Sequence, residues 1–291
     1  MKIKLLYIIL TLFTLLFAMP DKQLKLNDVH VYFAEKDIRF AQAALEIVHK
    51  QQTRLVNQYG LEVNPLHIYI ADNQDIYRQY SGSNSPVWSA GLASDDKMLV
   101  KSPSFSRQSL ADFQQTLLHE TVHLAVEGIP LPVWFNEGLA QYEAEQFGLH
   151  QRILVSHAFW RGDLMRSSEI EYLMTMDQDK AEIVYAQCAA MVDYLIEHFG
   201  IKLVSNCLYF TQQTQSFEKG FTSAFLMSPG HFEQLFRDQG KSAYRFYILL
   251  DQRNLWILAP IILIAGFILT KIRRRKLLRE WESSESEEEF D

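Results

Sequence analysis

The sequence predicts an α+β fold: a small N-terminal sheet, a mostly helical C-terminal part and a C-terminal transmembrane helix. Three observations carry this. Short runs rich in β-branched and aromatic residues fall at 29–34 and 66–71, and a further short strand reads at 97–102. From Ser109 onward, apolar residues recur at helical spacing between polar caps and glycine stops. Finally, Leu255 to Thr270 carries no charge and is followed at once by Lys271, Arg273, Arg274, Arg275 and Lys276.

The chain has 291 residues, enough for one large or two modest domains, and its 19 Phe, 13 Tyr and 5 Trp argue for an ordered core. A net charge of -7 excludes the basic footprint that a nucleic-acid partner requires. Cys188 and Cys207 are too few for a disulfide scaffold; pairing and simple burial as small apolar residues stand even.

In chain order, Val29 to Ala34 reads as a strand, and Asp37 as the cap of a helix from Ile38 to Tyr59 that Gly60 stops. Leu66 to Ala71 is a second strand, followed by a short helix from Asp72 or Asn73 through Tyr80. Ser81 to Pro86 is loop by composition. Val87–Ser94 and Lys97–Ser102 form a strand pair turning at Asp95-Asp96, either an interior hairpin or an exposed edge open to an extended peptide. Ser109 caps a helix from Leu110 to Glu127, and a second helix runs from Pro132 or Val133 to about Glu145. Val155 to Phe159 is ambiguous. Further helices are expected at Ser167 to Met174, Ala181 to Phe199, Ile201 to Phe210, Ser216 to Phe225 and around Phe232 to Phe236. The acidic tail from Glu280 to Asp291 should be disordered.

The first long helix contains His119-Glu120-Thr121-Val122-His123. Four helical residues advance the side-chain direction by only about 40°, so His119 and His123 stand on one face. Two imidazoles so placed reach one zinc ion at roughly 2.0–2.1 Å, with Glu120 over a zinc-bound water as general base. Glu137, one turn inside the next helix, supplies the third protein ligand. Glu127 and Glu143 compete poorly, the first for its span on the same helix and the second for its direction. The tetrahedral oxyanion needs a donor besides the metal; Tyr185 is the candidate, with His157 behind it. Asn136 and Tyr142 are candidates to orient the ligands.

His119-Glu120-x-x-His123 together with Trp134-x-x-Glu137-Gly138 resembles the peptidase MA-like branch of the gluzincin zinc metallopeptidases, over roughly Val31 to Arg237. The resemblance implies a zincin-like domain spanning about residues 20–250, Zn2+ on His119, His123 and Glu137, Glu120 as base, and a peptide or protein substrate. The gap from His123 to Glu137 is shorter than in thermolysin-like relatives, so their substrate preferences do not transfer.

Placement follows from the two ends. Met1 to Met19 has the form of a signal peptide or an uncleaved N-terminal anchor. Residues 254–271 read as a membrane span, and 272–291 as a cytoplasmic tail, basic and then acidic. The domain then lies on the periplasmic or extracellular side of the cytoplasmic membrane. The reading from another class is a membrane-tethered binding or assembly module on a peptidase scaffold without turnover, against which the intact Glu120 speaks.

Overall fold

The computed structural model describes residues 22–62, 66–81 and 89–288; the side chains at 253–255, 257–259 and 280–288 lie outside that description. The expected signal or anchor at 1–19 and the loop at 82–86 also lie outside the described residues.

Five strands, β1 (Lys22–Leu26), β2 (Val29–Phe33), β3 (Leu66–Ala71), β4 (Gly91–Ser94) and β5 (Lys97–Lys101), form one sheet in the order β1-β2-β3-β5-β4. β2, β3 and β5 run parallel, and β1 and β4 are antiparallel edges. The period of two sorts the central side chains. Val29, Val31, Phe33, Leu66, Ile68 and Ile70 enter the core, while His30, Tyr32, His67 and Tyr69 stack on the outer face. His67 is thus a packing histidine. β1 escapes sequence reading because its pairing, not its largely exposed Lys-Gln-Leu-Lys-Leu pattern, makes it a strand. The strand pair left open above resolves as an edge, since β4 closes the sheet.

Two long helices pack on the sheet's buried side: α1 (Ile38–Tyr59), stopped by Gly60 at φ 70°, and α3 (Leu110–Ala125), which lies against β4, β5 and α1. A glycine is needed at position 60 because left-handed backbone costs other residues a clash at Cβ. The short α2 (Gln74–Ser81) is capped by Asn73 and touches β3 and β5. Asp37 makes no cap bond; its buried carboxylate accepts from the Ser102 hydroxyl at 2.6 Å.

The second half is helical: α4 (Val133–Glu143), α5 (Leu149–Arg161), α6 (Gln178–Phe199), α7 (Ile201–Thr214), α8 (Phe217–Phe225) and α9 (Pro229–Tyr244). The ambiguous stretch at 155–159 belongs to α5. Trp134, Phe135, Phe217, Phe221, Phe232 and Phe236 form one aromatic core, with Trp134 stacked on Phe232 at a centroid distance of 5.7 Å. Cys188 and Cys207 are both free and buried, as two small apolar residues would be.

The last helix, α10 (Gln252–Glu288), corrects one expectation and leaves another without support. The tail is helical through Glu288 rather than disordered; beyond Gly266 the helix meets neither glycine nor proline to stop it. And among the described residues no helix is long and apolar enough to cross a membrane.

Candidate active site

The capping box between Ser109 and Asp112 fixes where α3 starts, and so which residues face β4 and α4. Three turns on, His119 and His123 project toward α4. Trp134 and Phe135, buried in the aromatic core, anchor the first turn of α4 and set the direction of Glu137. Gly138 lets α4 lie directly on α6: a Cβ there would overlap the Cys188 carbonyl oxygen and Val192 Cγ2. That close approach is the physical content of the Glu-Gly pair.

The cluster formed is tight. His119 Nε2 and His123 Nε2 are 3.0 Å apart, and Glu137 Oε2 lies 3.4 and 3.6 Å from them. His123 Nδ1 faces Asn136 Oδ1 at 3.0 Å, and His119 Nδ1 faces Gln146 Oε1 at 3.1 Å. With oxygens there, each Nδ1 carries the hydrogen and each Nε2 presents a lone pair. Two lone pairs and a carboxylate oxygen then point at one another. Glu137 Oε2 is buried and has no hydrogen-bond donor. Only a cation or a shared proton satisfies such a set. Tetrahedral zinc with bonds of roughly 2.0–2.1 Å sets its ligand atoms about 3.3 Å apart. The observed 3.0, 3.4 and 3.6 Å match that spacing, so His119, His123 and Glu137 fit the ion.

Electrostatics agree with the geometry. Burial opposes the charged form of His123, but the Glu137 carboxylate outweighs it and pushes the imidazole up to about 9. Burial likewise opposes the Glu137 charge, and the two histidines hold its carboxyl well below the usual range. The site is therefore built to keep a carboxylate ionised beside whatever positive charge occupies it.

A model of the peptidase MA superfamily matches residues 48–239, well over half of the chain. The chain belongs to the peptidase MA superfamily. It is also similar to the uncharacterized protein YhcO of Bacillus subtilis (strain 168), at 24% identity over 233 residues, 68% of this chain and 69% of YhcO.

In this peptidase MA domain two open clefts, about 350 and 410 Å³, meet over Ser89, Gly91, His119, Glu120 and Tyr185. Glu120 sits at their junction, beneath the edge strand. A Cβ on Gly91 would stand 2.7 Å from Glu120 Oε1, so glycine is what lets β4 pass over this carboxylate. Burial raises the proton affinity of Glu120, which the nearby histidines partly offset. Tyr185, on α6, faces the same junction; burial and then the charge of Glu137 push its phenol up, keeping it a donor.

Two expected positions lie elsewhere. His157 does not line either cleft; its Nε2 meets Asp251 Oδ2 at 2.8 Å, where the domain joins α10. It lies on α5, whose other contacts run to α6, α9 and the turn before α10 rather than to α3. Tyr142 does not hold a ligand either, whereas Asn136 does. Of the competing carboxylates, Glu143 is buried against the Tyr59 hydroxyl at 2.6 Å, and Glu127 accepts from the Asp95 amide at 2.8 Å. Gln146, the support of His119, carries no sequence signal. It is brought back by a turn in which Glu145 takes φ 55°.

Proposed function

We propose that this chain is a zinc-dependent peptidase that cleaves internal peptide bonds of extended segments. The observation that carries the reading is the convergence of two imidazole lone pairs and a buried, donorless Glu137 oxygen beside Glu120. A zinc ion there would supply Lewis acidity, bringing water toward a pKa of about 7 and polarising the scissile carbonyl. Glu120 takes the proton of the attacking water and passes it to the leaving amine, a role suited to a carboxylate whose proton affinity burial raises. The Tyr185 phenol donates to the carbonyl oxygen as negative charge develops there. Clefts on both sides of Glu120 support accommodation of chain on either side of the bond, and the free edge of β4 supports pairing with an extended backbone.

Membrane anchorage belongs to the same proposal. Residues 260–272 of α10 include Ile261, Ile262, Leu263, Ile264, Phe267, Ile268, Leu269 and Ile272, all exposed, so the helix offers apolar side chains on every face. A helical stretch whose described apolar side chains are exposed all round is suited to lipid. Residues 255 and 257–259 of the apolar run lie outside the described side chains. The basic cluster after Thr270 supports a cytoplasmic tail and a periplasmic or extracellular domain.

The test is hydrolysis of an unfolded polypeptide by the purified full chain, with Glu120→Gln as control. Cleavage by the wild type and none by a zinc-loaded E120Q is expected. Equal cleavage by both would remove Glu120 from the chemistry, and cleavage by neither would remove the activity.

A further inference from the structure

The side of the domain from which α10 departs carries several exposed rings and aliphatics. Trp160, at the end of α5, is 55% exposed; Phe246 is 60% and Leu250 50% exposed, and Leu249 is also exposed. They lie on elements that pack together, α5 against α9 and against the turn Tyr247–Leu250. Ser156 Oγ accepts from the Ile248 amide at 3.1 Å, and His157 holds Asp251. Both exposed rings carry a cation. Lys241 Nζ lies 4.8 Å from the Trp160 ring centroid, and the Arg245 guanidinium carbon 4.5 Å from that of Phe246. Asp251, one carboxylate at this junction, is buried and turned inward to His157, while Asp163 and Asp238 are exposed three residues from Trp160 and Lys241.

Scattered exposed apolar residues mean little, but exposed rings that each carry a cation, on elements packed together, mark a candidate interaction surface. Aromatic rings at headgroup depth, aliphatics below them and Lys or Arg toward the phosphates are what an anionic bilayer surface selects. α10, whose described residues 260–272 carry the exposed apolar side chains, begins directly after the turn Tyr247–Leu250 and contacts it. We infer that the face formed by Trp160, Lys241, Arg245, Phe246, Leu249 and Leu250 rests on an anionic phospholipid surface and holds the domain against the bilayer. The inference builds on the membrane-anchorage reading, yet it concerns the domain's own surface.

The test uses the full chain in vesicles of phosphatidylcholine and phosphatidylglycerol. Nitroxide labels are placed singly at Trp160→Cys, Phe246→Cys, Leu226→Cys or Leu263→Cys, the native thiols being buried. Collisions with oxygen and with a water-soluble nickel chelate report depth. Leu226, exposed beyond the far end of α9, is the aqueous reference, and Leu263 reports on anchorage. Labels at 160 and 246 are expected to shift toward oxygen relative to 226, and K241E/R245E to move the 246 label back toward the 226 value. If 160 and 246 match 226 while 263 reads hydrocarbon, docking is wrong and anchorage stands. Should 263 read water while 160 and 246 read lipid, docking stands and anchorage fails. All four labels in water would end both. Shielding of 160 and 246 from both reagents, unchanged in detergent, would mark a contact between protein copies and overturn the lipid assignment, as would indifference to K241E/R245E.

Discussion

His119 Nε2 faces His123 Nε2 across 3.0 Å, and with both imidazoles neutral neither nitrogen has a hydrogen to offer the other. The amide oxygens of Gln146 and Asn136 create this situation by claiming the Nδ1 hydrogens, so the two ligand tautomers are set before any metal arrives.

Gln146 should therefore matter to the metal without touching it. Gln146→Leu is expected to weaken zinc binding by roughly 10–100-fold, the usual cost of losing a partner behind a ligand imidazole. Competition against a chromophoric chelator measures it. Wild-type affinity in Q146L would mean that the His119 tautomer is held by something else.

The metal-free protein should carry a distinctive pH dependence. Its His123 titrates at about 9, above the ordinary 6.5, because Glu137 outweighs burial. The stabilisation this represents is fully present below 6.5 and is lost as pH rises through about 9, on the order of 3 kcal/mol at most. Zinc must displace that proton, so its apparent affinity should climb by up to about tenfold per pH unit below 9. Denaturant unfolding of chelator-treated protein at pH 6.5 and 9 reads the first effect, and proton release on zinc addition the second. Stability that does not fall between those two values would refute the coupling.

Gly138→Ala should damage the fold and the site together. The added methyl meets the Cys188 carbonyl on a neighbouring helix, which cannot swing aside as a flexible side chain would. Overpacking of this kind costs about 1–3 kcal/mol, and the shift of α4 carries Glu137 with it. Calorimetry and metal analysis should both register the change; an unaltered Tm would show that the two helices separate easily.

Tyr185→Phe tests the oxyanion donor. Loss of one such donor is worth roughly 10²–10³ in kcat, with metal content unchanged. His157→Gln, by contrast, should leave kcat near the wild-type value because His157 meets Asp251 and lines neither cleft. A kinetic phenotype in H157Q matching that of Y185F would reinstate His157 at the site.

Much of the architecture was legible because local chemistry agreed with tertiary packing. Gly60 and Ser109 mark helix ends in the chain as in the fold, and alternation in Val29–Phe33 and Leu66–Ala71 separates core from outer face. The spacing of His119 and His123 needs only a helix to bring them together. What escaped depends on contacts between distant segments. β1 exists through its pairing with β2, and Gln146 reaches His119 through one left-handed residue at Glu145. His157 shows the opposite failure: its residue type, which made it the second choice behind Tyr185, said nothing of the helix face it occupies. Gly91 is meaningful only because a strand from the sheet crosses Glu120.

The most direct measurement is the metal content of the purified full chain and of Glu137→Ala, after incubation with zinc and removal of the unbound ion. One zinc per wild-type chain and a small fraction of that in E137A are expected. A wild-type chain that retains no zinc, or an E137A chain that retains as much as the wild type, would contradict the convergence of His119, His123 and Glu137 on one ion.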